Sequence, residues 1–111
     1  MAAKEIPAEV REEINRIIEK FNKKTFQGRE DQVFYFAEFK KNHLFLKRRE
    51  YRNLSPVARL TYTGNMKHWD FAIYKWTREG YDPDEFMFPG AEFVDGTVEG
   101  ALKAGLEAYP V

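Results

Sequence analysis

Val33-Phe-Tyr-Phe-Ala-Glu-Phe-Lys40, followed by Lys41-Asn42 and then His43-Leu-Phe-Leu-Lys-Arg-Arg49, is the stretch on which the fold turns. Val33, Tyr35, Ala37 and Phe39 alternate with Phe34, Phe36, Glu38 and Lys40, and Leu44, Leu46 and Arg48 alternate with Phe45, Lys47 and Arg49. Successive side chains of a strand point to opposite faces, so a period of two reads as strand. Lys41-Asn42 predicts a tight hairpin turn between the two runs, with Asn as the residue that tolerates positive φ. That register sets Phe39 opposite Leu44 and Ala37 opposite Leu46. Phe34, Phe36, Phe45, Lys47 and Arg49 then share the other face.

A second hairpin is expected after Pro56. Ala58, Leu60 and Tyr62 point one way, and Val57, Arg59, Thr61 and Thr63 the other. Beyond a turn around Gly64-Asn65, the residues Trp69, Phe71 and Ile73 join the apolar side, with Asp70, Ala72, Tyr74 and Trp76 opposite. A turn longer by two residues preserves this parity. Arg78-Glu79-Gly80 ends the strand, Tyr81 to Glu85 reads as a turn, and Glu85 to Phe88 suggests a short fifth strand.

Helical periodicity flanks the strands. Pro7 opens a helix over 7–24, because proline lacks a donor where none is needed, and Glu9, Glu12 and Glu13 suit the positive end of its dipole. Val10, Ile14, Ile17, Ile18 and Phe21 form its apolar stripe, and Lys20, Lys23 and Lys24 close it. Thr97 caps a final helix with Val98, Ala101, Leu102, Leu106 and Tyr109 facing inward. Gly100 and Gly105 each weaken that helix by about 1 kcal/mol relative to Ala, and close packing on the sheet would account for them. The expected architecture is α+β: an antiparallel meander of four to five strands, with an N-terminal and a C-terminal helix on one sheet face. Residues 1–111 read as one domain.

Composition narrows the function. There is no cysteine among the 111 residues, which removes disulfides, thiolate metal sites and a cysteine nucleophile and fits a reducing cytoplasm. No stretch approaches the roughly 20 apolar residues of a membrane span, and the first seven residues contain no apolar core of a signal peptide. The formal net charge of +0 hides an asymmetry. Residues 40–78 hold ten Lys/Arg against two acids, a net of +8, whereas residues 79–111 hold one base against eight acids, a net of −7. Such a division marks either a polyanion-binding surface or a basic sheet neutralised by its own acidic tail.

Ser55-Pro-Val-Ala-Arg-Leu-Thr-Tyr-Thr-Gly64, Trp69-Asp-Phe-Ala-Ile-Tyr-Lys-Trp76 and Tyr81-Asp-Pro83 together resemble a family of small uncharacterised bacterial and archaeal proteins grouped as a domain of unknown function. In that family a leading helix precedes an Arg-rich strand pair, a Pro-Val-Ala-Arg-type strand and an aromatic strand beginning at Trp. The acidic stretch from Asp82 onward departs from that pattern. The resemblance implies the fold and brings no activity, cofactor or functional residue with it.

Chemistry-bearing residues are few. His43 and His68 are the two histidines, too few to build a metal site without convergent carboxylates, so no metal or other cofactor is expected. Ser55 is the one serine, and no nucleophile elbow or phosphate-binding loop is present. Asp82-Pro-Asp84-Glu85 is the densest carboxylate cluster but lacks the spacing of a calcium loop. An enzyme reading would set Asp84 and Glu85 at a pocket between the sheet and the final helix, beside Tyr81 or His68, with one pKa raised. The leading expectation is a non-enzymatic interaction domain using an open sheet face built from Phe34, Phe36, Phe45, Lys47, Arg49, Arg59, Tyr74 and Trp76. Its partner would be a second copy or another protein. The alternative partner is single-stranded RNA or DNA, since rings stack on bases and cations follow phosphates. A competing structural reading pairs Arg59 with Asp70 across the second hairpin.

Overall fold

The computed structural model describes residues 5–85 and 87–110. Helix α1 (Ala8–Thr25) leads into β1 (Val33–Lys40), β2 (His43–Glu50), β3 (Asn53–Thr61), β4 (Asp70–Lys75) and β5 (Gly80–Asp82). A 3-10 turn at Ala91–Phe93 precedes helix α2 (Val98–Ala108). The five strands form one antiparallel sheet in the order β1-β2-β3-β4-β5. Both helices pack on the same face, where Val33, Tyr35, Leu44, Leu46, Leu60, Trp69, Phe71 and Ile73 are buried against Ile14, Ile18, Val98, Ala101 and Leu102. Each aliphatic side chain so buried contributes roughly 1.5–3 kcal/mol of transfer free energy. The α+β reading and its face assignment hold at these positions. Among the described residues no helix is long and apolar enough to cross a membrane.

The first hairpin has the expected register, with Phe39 opposite Leu44 and Ala37 opposite Leu46. Its positive φ falls on Lys41 (55°) rather than on Asn42. The β2–β3 turn uses Tyr51 in the same way (φ 56°). Strand β3 therefore starts at Asn53, ahead of Pro56, and Leu54 and Ser55 pair with Arg49 and Arg48. Pro56 has no N–H to give the ladder, and the register slips here: Leu46 faces Ala58 while Lys47 faces Pro56. The residue left over is Val57. The bulge turns it to the helix side, fully buried against Gly105 of α2, so its expected place beside Arg59 is corrected.

The fifth strand is also relocated. Tyr81 pairs with Tyr74 and Asp82 with Ile73, so β5 occupies part of the expected turn. Glu85, Met87 and Phe88 are not in a strand, and Phe86 lies outside the described residues. Phe88 instead stacks on Phe71 with centroids 6.1 Å apart, and the Trp69 N–H donates to the Gly96 carbonyl at 2.8 Å. The acidic connection between β5 and α2 is thereby drawn to the helix-bearing side of the sheet.

Candidate interaction face

The strand pleat sends Phe34, Phe36, Phe45, Lys47, Arg49, Arg59 and Tyr74 to the face away from the helices, and Trp76 follows directly after β4. Three ring–cation pairs stand directly across from one another: Phe34 and Arg49, Phe36 and Lys47, Phe45 and Arg59. Cross-strand neighbours of this kind have Cβ atoms about 4.5–5.5 Å apart, so the stem of each basic side chain starts next to a ring.

A chain of rings crosses this face. Phe45 lies 5.6 Å from Tyr81, Tyr81 lies 5.2 Å from Tyr74, and Tyr74 lies 5.1 Å from Trp76, centroid to centroid. Trp76 ends the chain and is 53% exposed. Phe34 and Phe36 form a separate pair at 6.1 Å. Tyr81 was not among the expected face residues, yet it joins β5 to β2 by leaning across the sheet. Ala72, opposite Arg59, leaves room beneath and is only 2% exposed. Parity opposite Tyr74 is the signal that could have placed Tyr81 here. Burial pushes the Tyr81 hydroxyl up in pKa, the neighbouring Tyr74 adds to this, and Arg59 pulls it back.

The cations differ in how they are held. Lys47 Nζ is 3.0 Å from Glu38 Oε1. Arg49 Nε donates to the Tyr51 carbonyl at 2.9 Å and leaves its terminal nitrogens to solvent. The Arg59 guanidinium lies over the Tyr81 ring, 5.6 Å from its centroid. Asp70 is diagonal to Arg59 rather than opposite it, and among the described residues Arg59 makes no ion pair and no side-chain hydrogen bond. Its Nε is sealed from water without a partner. The competing reading, an Arg59–Asp70 ion pair, is not formed. His43 Nδ1 is 3.0 Å from Thr61 Oγ1 on the same face, and burial, aided by Arg59, pulls its pKa down.

The acidic stretch neutralises other cations. Glu85 Oε2 accepts from Lys75 Nζ at 2.7 Å and Asp82 Oδ2 from Arg78 at 2.8 Å, both around the β4–β5 hairpin. Glu85 does line a groove of about 260 Å³ between sheet and final helix, with Ile73, Phe88, Ala108 and Tyr109. Neither Tyr81 nor His68 lines that groove, and Asp84 is exposed beside it. The Lys75 hydrogen bond, with the Met87 N–H, holds the Glu85 carboxyl below the ordinary range, opposite to the shift a general acid needs. Among the described residues no three His, Cys, Asp or Glu side chains converge as a metal site. No family model, no curated protein and no solved structure matches this chain, so the likeness over residues 54–83 carries no family assignment.

Proposed function

We propose that this chain is a non-catalytic interaction domain, working in the cytoplasm, whose contact surface is the open face of the sheet. The observation that carries the reading is the Phe45–Tyr81–Tyr74–Trp76 chain of rings, flanked by Lys47, Arg49 and Arg59, on a face that no described segment covers. Both helices and the described part of the acidic connection lie on the other side, so no described segment of the tail covers this basic surface. Exposed aromatic clusters rimmed by charge are characteristic of contact sites. The face is mostly basic, carrying Lys47, Arg49 and Arg59 with Glu38, so stacking two copies would bring a net positive face against itself, a repulsion that disfavours a homodimer.

Two measurements test the reading without knowledge of the partner. Light scattering at high protein concentration should give the 13.1 kDa monomer. Trp76→Ala should leave the urea unfolding free energy within about 1 kcal/mol of wild type, because a half-exposed contact residue adds little to the fold. A loss of about 3 kcal/mol or more, the cost of truncating a core aromatic, would make the rings part of the core and end the proposal.

A further inference from the structure

Arg59 stands out on the open face: a partly buried guanidinium with a sealed, partnerless Nε and, among the described residues, no carboxylate at ion-pair distance. The sealed Nε is out of reach of a ligand. The terminal nitrogens of Arg59 are not sealed and, among the described residues, have no carboxylate partner, so an anion docking on this face can pair with them. Around it the face repeats one motif, a ring directly across the ladder from a basic residue, at Phe34/Arg49, Phe36/Lys47 and Phe45/Arg59. The rings are spread over about four strands, and strands are spaced 4.7–4.9 Å apart. The anion that fits is therefore extended, with planar apolar groups between its charges.

We infer that the partner of the open face is a single-stranded nucleic acid, its bases stacked on Trp76, Phe34 and Phe36 and its phosphates held by Arg59 and Arg49. This rests on the proposed use of the face and names its occupant. An acidic peptide offers the charges, but planar groups only where it happens to carry aromatic residues, whereas every nucleotide carries both. A duplex hides its bases within the stack and presents only phosphates to a flat face. Single strands offer both at every unit, and aromatic platforms with cations are the general means of holding them.

The test titrates the full chain into labelled single-stranded dT and rU oligonucleotides of about 12 nucleotides, within the range one small domain covers. Binding should weaken about 7-fold between about 50 and 200 mM salt if the two phosphates at Arg59 and Arg49 are neutralised. Trp69 is 4% exposed, so the fluorescence quenched on binding should come from Trp76. Trp76→Ala should weaken binding at least about fivefold, the lower bound of one stacked base. Arg59→Gln should weaken it about tenfold or more, and Arg49→Glu, on the exposed edge where folding is not at risk, should do likewise. Lys20→Glu on α1, on the far side, should leave it unchanged. No binding at about 100 µM protein in low salt, where even non-specific complexes form, would overturn the inference. So would equal affinity for duplex or polyglutamate, or a Lys20→Glu effect matching that of Arg59→Gln. If these fail while Trp76→Ala remains as stable as wild type, the occupant is wrong and the face stands. If Trp76→Ala is strongly destabilised, both readings fall.

Discussion

The side-chain amide of Asn22 completes the outer backbone edge of β1 at Tyr35. Its Nδ2 donates to the Tyr35 carbonyl at 2.9 Å, and its Oδ1 accepts the Tyr35 N–H at 2.8 Å. An edge strand otherwise presents unpaired groups that invite pairing with another chain. Helix α1 thus uses one buried polar residue, one turn beyond Ile18 on its inner face, to dock on the sheet and satisfy its rim.

Removing that amide leaves two buried backbone groups without partners. Asn22→Ala should cost about 2–4 kcal/mol in urea unfolding. Asn22→Asp should not rescue it, because a carboxylate cannot donate to the Tyr35 carbonyl. Hydrogen exchange at the Tyr35 amide should accelerate in Asn22→Ala relative to the amides paired within β2 and β3, and less in Asn22→Asp, whose carboxylate still accepts that N–H. Unchanged exchange at Tyr35 would mean that the bridge does not form in solution.

Much of this could be read from the chain because parity is robust. Val33 to Arg49 alternates without interruption, and the hairpin register follows from it. The Thr97 cap was also legible, and its hydroxyl accepts the Gly100 N–H at 3.0 Å. Asn22 was missed because it is polar in an apolar stripe, and only its distance to Tyr35 gives it meaning. Val57 was misplaced because Pro56 breaks the ladder and the bulge reverses one residue. Tyr81 was missed because Gly80 reads as the end of a strand, whereas it opens a strand of only three residues, entered through Glu79 at φ 49°. On the open face the rings and cations shared a side as parity required. Which cation would be left without a partner depended on tertiary distances that no spacing encodes.

The glycines of α2 are close-approach residues, and replacing them should not yield the usual gain in helix propensity. A methyl group at Gly105 would come within 2.6 Å of Val57 Cγ1, so this glycine packs on the sheet as expected. At Gly100 it would meet the Phe93 carbonyl oxygen and Asp95 Oδ1, so this one accommodates the preceding connection rather than the sheet. Ala at either position gains about 1 kcal/mol of propensity. Overpacking costs about 1–3 kcal/mol and more against rigid backbone. Gly105→Ala should come out near neutral to destabilising, and Gly100→Ala clearly destabilising, by thermal unfolding. A raised Tm for Gly100→Ala would contradict the contact.

Arg48 lies on the helix side among apolar neighbours and is 6% exposed. It donates to the Tyr35 hydroxyl at 3.3 Å and to the Tyr109 carbonyl, and it pairs with Glu50, tying β1, β2 and the end of α2 together. Burial, more than any neighbour, raises the Tyr35 pKa, with Arg48 acting against it. Arg48→Ala should destabilise by about 3 kcal/mol, because it strands the partners of a buried charge and leaves a void. Arg48→Met should recover part of that by refilling the space. Equal losses in the two variants would show that charge alone, without packing, sets the cost.

Asp95 ties the entry of α2 to acidity. Its Oδ1 accepts from the Thr97 hydroxyl at 2.6 Å and the Thr97 N–H at 3.0 Å, and the hydroxyl contact is the main cause of its lowered pKa. A depressed folded-state value contributes stability above the unfolded pKa of about 3.9, and that stability is lost as pH falls through the folded value. Asp95→Asn should therefore be less stable than wild type at pH 7, with the gap closing below about pH 4. Thr97→Val should raise the Asp95 value in an NMR titration and cost about 1 kcal/mol of capping.

Glu85 decides what remains of an acid–base role at the sheet–helix groove. Its carboxylate is held below the ordinary range, first by Lys75 Nζ and next by the Met87 N–H. Stability from this contact is present above the unfolded glutamate value of about 4.3 and disappears as pH falls through the lowered one. Lys75→Met removes the larger cause and leaves the smaller, so the titration midpoint of Glu85 should rise toward the ordinary value without passing far above it. Wild type and Lys75→Met should converge in stability at low pH. An NMR midpoint for wild-type Glu85 above about 6, the range of a working general acid, would instead revive catalysis at this groove.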